Sequence, residues 1–189
     1  MLEGKNVNLR IIEKEDVALS TKWINEGIYG EYGPIMQVSK AQEERFFENP
    51  PPIEVAIQPV GFMIERKDGA KIGMAGYLTV QPYKVIEIGF WLLPEEKGKG
   101  YGTEVVQLIV DYLFLSKDIR RVQAATHNEN RASQRALEKV GFKKEGIIRK
   151  FYFIKGLWED AYLYGILREE WKEPKILTRT DWKQRFLMM

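Results

Sequence analysis

The stretch VIEIGFWLLPEEKGKGYGTEVVQLIVDYLFL, residues 85–115, constrains the fold more than any other part of the sequence. A strand-like apolar segment ends at Pro94, a loop with glycine at positions 98, 100 and 102 follows, and a helical repeat of apolar residues begins at Tyr101. Glycine can adopt positive φ and lets backbone approach a ligand closely. The first turn of a helix also has N–H groups without helical partners. The pattern therefore predicts a strand, a tight loop and a helix whose N-terminus can hold a phosphate or pyrophosphate.

Two better-known phosphate loops do not fit this stretch. The Walker loop needs G-x-x-x-x-G-K-[ST] and the dinucleotide fingerprint needs G-x-G-x-x-G, whereas the spacing here is G-x-G-x-G. Lys97 and Lys99 add positive charge to the loop, and Thr103 adds a hydroxyl donor. The alternative is a glycine-rich turn between a strand and a helix that binds nothing.

The rest of the chain predicts an α/β domain with hairpins and one strand–helix–strand crossover. Strands are expected at 6–12, 60–66, 71–80, 85–93 and 120–126 and in two segments joined at Lys155-Gly156, and helices at 14–26, 39–47, 101–115 and 132–140. Residues 49–59 include three consecutive prolines, which cannot sit inside a helix or a central strand. We expect these residues to form a surface loop.

Composition excludes several classes of protein and site. The chain has 189 residues, which suits one domain, and it has no cysteine, so disulfides, thiolate metal sites and cysteine nucleophiles are excluded. Its single histidine, His127, is too little for a histidine-rich metal site, and we expect no metal. The net charge of +2 makes nucleic acid an unexpected partner. Charges in the first 16 residues and the lack of a long apolar run predict a cytoplasmic protein without a membrane partner.

A second informative stretch, HNENRASQRALEKVGF, occupies residues 127–142 and follows a predicted strand. Asn130 and Ser133 lie three residues apart at the start of a helix, and Gly141 suits its C-cap. Asn130 is either a helix N-cap or a ligand-binding residue, and the residues alone leave both open.

Three segments together, EEKGKGYGTE, NRASQRALEKVGF and DAYLYGILREEW, resemble the GNAT superfamily of acetyl-CoA-dependent N-acetyltransferases. Within it, they are similar to the branch that contains the ribosomal-protein N-terminal acetyltransferases. The resemblance covers about residues 60–171 and is looser over 1–48. It implies a single α/β (α+β) domain over 1–172, with a mixed, mostly antiparallel twisted sheet of six to seven strands flanked by about four helices. Residues 173–189 would be a C-terminal extension that caps the domain or packs on a second subunit of a homodimer.

The resemblance also implies a site for acetyl-CoA, the cosubstrate. The loop would hold the pyrophosphate through backbone N–H groups, the end of the preceding strand would pair with the pantetheine arm, and Asn130 would contact the cofactor from the second strand–helix junction. The implied cofactor-binding residues are Trp91, Leu92, Leu93, Lys97, Gly98, Lys99, Gly100, Tyr101, Gly102, Thr103, Asn130 and Ser133.

Glu87 is the strongest candidate for the base that deprotonates an amine, because a carboxylate can take that proton directly or through water. Its alternative role is a solvent-facing strand residue, and Glu65 and Glu54 are weaker candidates. Many family members use a tyrosine as general acid where this chain has Leu137. The resemblance suggests Ser133 as its substitute, although Ser133 could equally cap the helix.

The remaining candidates are expected to be structural or solvated. We expect no base role for His127, and we expect the tyrosines at 83, 101, 152, 162 and 164 to serve packing. Five acidic residues could attract a cationic amine or simply face water: Glu31, Glu43, Glu44, Glu159 and Asp160. Apolar residues of the tail, Trp182, Phe186 and Leu187, are expected to be covered.

The expected function is transfer of an acetyl group from acetyl-CoA to a primary amine on a peptide N-terminus or a small molecule. The alternative is a non-catalytic acyl-CoA-binding or regulatory module on the same fold, because the usual general acid is missing. An RNA-associated factor would depend on the basic run KKEGIIRK, and the near-neutral charge argues against it.

Overall fold

Strands and helices follow the chain in the order that the apolar periodicity predicts. The computed structural model describes residues 1–28, 30–33, 36–48, 60–80 and 85–177. The strands are β1 (Leu2–Glu3), β2 (Val7–Ile11), β3 (Val60–Arg66), β4 (Lys71–Val80), β5 (Val85–Leu92), β6 (Arg121–His127), β7 (Lys143–Ile154) and β8 (Leu157–Leu167). The helices are α1 (Val17–Asn25), α2 (Lys40–Glu48), α3 (Tyr101–Ser116) and α4 (Arg131–Val140).

The strands form one sheet in the order β1-β2-β3-β4-β5-β6-β8-β7. Every neighbouring pair is antiparallel except β5 and β6, which are parallel and are connected through α3. Because β8 lies between β6 and β7, the last hairpin places β7 at the edge. The mixed, mostly antiparallel sheet is confirmed, and it has one strand more than the upper end of the expected range.

The sheet buries apolar side chains on both faces, as the alternation along β3 illustrates. Ile64 packs with α3 residues such as Leu108, whereas its neighbour Met63 packs with Trp23 and Ile24 of α1. This alternation follows from the two-residue repeat of a strand. One face is therefore covered by α3 and α4 and the other by α1.

The predicted helices and strands are confirmed within the described residues, with small differences in their bounds. The additional strand is β1, where Leu2 pairs with Leu9. The predicted 49–59 loop, Glu54, Tyr83 and the tail residues Trp182, Phe186 and Leu187 lie outside the described residues. No described helix is long and apolar enough to cross a membrane. The cytoplasmic location, the domain boundary after residue 172 and the homodimer stay predictions.

Candidate active site

A gap between the two parallel strands forms the frame of the site. β5 and β6 pair only over their first three residues, Val85 to Glu87 with Arg121 to Gln123. Both strands then continue, β5 to Leu92 and β6 to His127, without pairing to each other. The edge of β5 that faces the gap beyond Glu87 therefore carries backbone groups that β6 does not take up. We call this opening the wedge.

The glycine loop lies at the open end of β5, and its glycines serve different purposes. Gly98 and Gly100 have φ of 80° and 87°, and a Cβ at either position would meet nothing within 4 Å. The left-handed backbone, and not crowding, requires glycine there. At Gly102, by contrast, a Cβ would lie 2.8 Å from Cε2 of Phe90. The third glycine therefore lets the first turn of α3 pack closely on β5.

Two helices begin beside the wedge. Gly100 occupies the N-cap position of α3, and no side chain caps this helix within the described part of the chain. Its first N–H groups and the positive end of its dipole can therefore serve an anion. α4 begins after Asn130, whose Oδ1 accepts a hydrogen bond from the N–H of Ser133 at 3.1 Å. The capping role of Asn130 is thus confirmed.

A cavity of about 640 Å³ opens between these elements. Nine of the predicted cofactor-binding residues line it: Trp91, Leu92, Lys97, Gly98, Gly100, Gly102, Thr103, Asn130 and Ser133. Its described wall does not include Leu93, Lys99 or Tyr101. The ammonium of Lys99 instead pairs with Glu96 at 3.0 Å, and Tyr101 packs against the core on the α3 face.

The described wall of the cavity is cationic. Lys97, Arg135 and Lys139 line it, and no aspartate or glutamate is among the described lining residues. Arg135 and Lys139 are one helical turn apart on α4, so they share a face. Several other described cations form ion pairs, for example Arg10 with Asp16 at 2.9 Å. A cavity of this size with three basic side chains suits a polyanionic ligand.

Glu87 lies at the last paired position of β5, where the wedge begins. Its Oε2 accepts a hydrogen bond from Nε2 of Gln123 at 2.9 Å, and its Oε1 accepts none from the described residues. It is half-buried and does not line the described cavity wall. Glu65, the weaker candidate, is held by Arg10 at 2.9 Å. Of these two carboxylates, only Glu87 lies beside the wedge.

Ser133, Leu137 and His127 have different positions relative to the cavity. Ser133 lines it, and its N–H, not its hydroxyl, makes the cap bond. Leu137 is buried in the core on the α3 face. His127 is also buried, and its Nδ1 accepts the N–H of Glu129 at 3.1 Å. Nδ1 of His127 is thus engaged in a local hydrogen bond, and the absence of a base role stays a prediction.

Several residues of the described cavity wall were not predicted from the sequence. Ile28 and Tyr32, from the segment after α1, line the cavity together with Phe90, Ala132, Arg135, Ala136 and Lys139. A signal existed for Arg135 and Lys139, because their four-residue spacing puts them on one face of a helix that was correctly predicted. Nothing in the sequence around Tyr32 indicates that its ring lies 5.0 Å from that of His127, at the end of a strand 95 residues later.

The acidic residues that were predicted either to attract a cationic amine or to face water have mixed roles. Glu44 pairs with Lys40 at 3.4 Å, and Asp160 accepts the N–H of Lys150 at 2.9 Å. The side chain of Glu31 lies outside the described part of the structure. Two of these carboxylates are thus engaged in local structure.

Comparisons with known proteins identify the class to which this fold and site belong. Residues 6–143 match the family described as Acetyltransferase (GNAT) domain. Probable N-acetyltransferase YjcK of Bacillus subtilis (strain 168) is 31% identical over 183 residues, which cover 90% of this chain and 98% of the relative. The chain therefore belongs to the GNAT acetyltransferase family.

Solved structures of the same fold include enzymes named for different substrates. Ribosomal-protein-S5-alanine acetyltransferase from Vibrio fischeri superposes with a TM-score of 0.75 at 24% identity, covering 90% of this chain and 97% of that one. Spermidine N-acetyltransferase from Vibrio cholerae, in complex with CoA and spermine, superposes with a TM-score of 0.76 at 21% identity, covering 88% and 98%. At these identities the likeness shows the fold, and the substrate has to be argued from the site.

Proposed function

We propose that this protein transfers the acetyl group of acetyl-CoA to a primary amine, on a peptide N-terminus or a small molecule. The observation that carries the proposal is the cationic cavity at the wedge, which brings the glycine loop, the open edge of β5 and the start of α4 together. A glycine loop beside the part of β5 that does not pair with β6 fits a ligand with a pyrophosphate and an extended, amide-containing arm.

The residues present fit coenzyme A in three respects. The left-handed glycines leave open space where a Cβ would stand, so backbone N–H groups of the loop can approach a pyrophosphate. Lys97, Arg135 and Lys139 supply positive charge without a carboxylate in the described wall. The edge of β5 beyond Glu87 can hydrogen-bond the pantetheine arm in place of the missing β6 pairing.

The reaction needs a neutral amine, because an alkylammonium has no lone pair and its pKa is about 10. Acetyl-CoA supplies an acetyl group whose C–S bond breaks as the C–N bond forms, and the departing thiolate takes up a proton. Glu87 would accept the proton that the ammonium loses, and the hydroxyl of Ser133 would donate to the thiolate. Backbone N–H groups at the edge of β5 would stabilise the negative charge on the carbonyl oxygen.

A non-catalytic acyl-CoA-binding module remains the second candidate, and the buried Leu137 favours it. This residue stands where the resemblance places a tyrosine general acid, and its side chain is inside the core. A thiolate is already a good leaving group, so catalysis could depend mainly on positioning and on oxyanion stabilisation. Turnover separates the two candidates.

The test is thiol release from acetyl-CoA across a panel of primary amines and peptides with free N-termini. The chain contains no cysteine, so a thiol-reactive dye reports only the product. We expect release with one class of amine, and we expect Glu87→Gln to lower kcat by about 100-fold or more. Glu95 is an exposed carboxylate just before the glycine loop, so Glu95→Gln is the matched control and should not change kcat.

Ser133→Ala isolates the serine hydroxyl, because the cap bond uses the backbone N–H and survives the change. A loss of kcat with unchanged stability would support its role as a proton donor. If no amine supports thiol release while acetyl-CoA still raises the Tm, the non-catalytic module replaces the enzyme. If no amine supports thiol release and acetyl-CoA does not raise the Tm, the function assigned to the cavity is wrong.

A further inference from the structure

The glycine loop has few restraints of its own. Residues 97–100 are all exposed, and a Cβ on Gly98 or Gly100 would meet nothing within 4 Å. The backbone hydrogen bonds at its two ends are long: Lys97 donates to the carbonyl of Pro94 at 3.3 Å, and Glu104 donates to the carbonyl of Gly100 at 3.3 Å. A glycine-rich segment with so little packing samples other conformations unless a further contact restrains it.

Glu96, directly before the loop, makes such a contact. Its residue is only 7% exposed. Its Oε1 accepts a hydrogen bond from the guanidinium of Arg66 at 3.0 Å, and its Oε2 accepts one from the ammonium of Lys99 at 3.0 Å. Arg66 ends β3 and is itself bound by Asp68 at 3.1 and 2.6 Å. One buried carboxylate therefore joins the loop to the central sheet.

The two lysines of the loop have different surroundings. Lys97 lines the cavity, and a Cβ at Gly30 would lie 3.4 Å from its Nζ, so its ammonium lies beside the segment that follows α1. Lys99 is not part of the described cavity wall, and its ammonium is bound by Glu96. Lys97 therefore contributes charge to the site, whereas Lys99 contributes a tether for the loop.

The charge of Glu96 is unfavourable for an anion site. A carboxylate one residue before Lys97 weakens the attraction of the cavity for a polyanion. Burying that carboxylate also costs free energy, which its two cations offset. What the ion pairs can supply is order, because a loop that is already held in its bound conformation loses less entropy when the ligand binds.

We propose that Glu96 is a positioning residue for coenzyme A, which acts through Lys99 and Arg66 by holding the glycine loop ready for the pyrophosphate. The inference rests on the proposed function for its ligand. It goes further by assigning the group that orders the loop, and it has an unusual sign: removal of a negative charge should weaken the binding of an anion.

The first test is titration calorimetry with coenzyme A. In Glu96→Gln an uncharged amide replaces the carboxylate that binds both cations, and we expect the Kd to rise about three- to tenfold with unchanged stoichiometry. Charge alone predicts tighter binding, because the variant has one negative charge fewer. Glu95→Gln is the matched control, since it removes the same charge from the exposed neighbour, and it should not raise the Kd.

The double variant Glu96→Gln/Lys99→Met separates order from charge, because its net charge equals that of wild type. Attraction by the field of the protein predicts a wild-type Kd. Loss of the tether predicts a Kd about as high as that of Glu96→Gln, since the loop is already released by the first change. A double variant that binds coenzyme A as tightly as wild type would overturn the inference.

Amide hydrogen exchange measures the loop without any ligand. In the free protein, residues 97–103 of Glu96→Gln should exchange about threefold faster or more than in wild type, and those of Glu95→Gln should exchange at the wild-type rate. Unchanged exchange in Glu96→Gln would mean that the ion pairs do not restrain the loop, which also overturns the inference.

These measurements distinguish failure of the inference from failure of the proposed function. If wild type binds no coenzyme A, the proposed function fails and the inference fails with it. If wild type binds coenzyme A and Glu96→Gln binds it no more weakly, the inference alone fails. In the thiol-release assay, Glu96→Gln should raise the KM for acetyl-CoA and leave kcat unchanged, which a mere loss of folded protein would not do.

Discussion

Single residues in the glycine loop respond to two different physical constraints. Gly100 is required by its φ of 87°, and Gly102 by the closeness of Phe90, whose Cε2 would lie 2.8 Å from a Cβ. We expect Gly102→Ala to lower the free energy of unfolding by about 1–3 kcal/mol through overpacking. Gly100→Ala should cost about 1 kcal/mol through backbone strain. Urea denaturation measures both.

Phe90→Leu removes the ring atom that a Cβ at position 102 would meet. The double variant should therefore recover part of the stability that Gly102→Ala loses. Gly89→Ala is the control on β5, because a Cβ there would meet nothing within 4 Å. If Gly102→Ala proves as stable as Gly89→Ala, close packing of α3 on β5 is not what requires this glycine.

At the scale of elements, one buried carboxylate on α3 binds the segment of chain that follows β8. Asp111 accepts hydrogen bonds from Gln107 and Trp171 and from the backbone N–H groups of residues 175–177, at 2.8–3.3 Å. Asp111→Asn places an amide donor among these donors. We expect it to lower the free energy of unfolding by about 2–4 kcal/mol, because charge-assisted bonds are lost and buried N–H groups are left unsatisfied.

Trp171→Phe removes only one of these bonds and should cost about 1 kcal/mol. Chemical denaturation with Trp fluorescence distinguishes the two variants. Equal losses in both would mean that Asp111 does not act as a shared anchor for residues 175–177. The attachment also shows that the segment just after residue 172 contacts α3, while the role of the tail beyond it stays a prediction.

At the scale of the whole molecule, Asp16 joins three parts of the domain. Burial disfavours its charged form, but hydrogen bonds from Arg10 on β2, from the N–H of Glu13 and from Lys71 on β4 outweigh burial and hold the pKa of Asp16 below its ordinary value. The unfolded chain therefore binds this proton at a higher pH than the folded one. Stability from Asp16 is fully present above about pH 4 and is lost as the pH falls further.

We expect the difference in Tm between wild type and Asp16→Asn to be largest at neutral pH and to shrink progressively below about pH 4, where wild type loses the charge as well. Asp68→Asn is the control at an exposed ion pair with Arg66 and should change the Tm little at any pH. A Tm difference that stays constant down to pH 2 would contradict the role of Asp16 ionisation.

Local patterns were sufficient to predict most elements of this fold. The glycine loop was placed correctly between β5 and α3, and Asn130 was placed at the start of α4, because turn glycines and helix caps act within a few residues. β1 was missed because two residues are too short to show an alternation. The candidate site was predicted where it depends on such local features, as nine residues of the cavity wall illustrate.

The sequence by itself determined the elements and the glycine loop, since periodicity and positive φ are properties of neighbouring residues. Only the tertiary structure decided that β5 and β6 separate after three pairs and that Arg135 and Lys139 line the same cavity as Lys97. It also decided that the hydroxyl of Tyr152 on β7 reaches the carbonyl of Ala125 on β6. These contacts join residues far apart in the chain. They depend on strand order and on an irregular register, which alternation along a single strand does not encode.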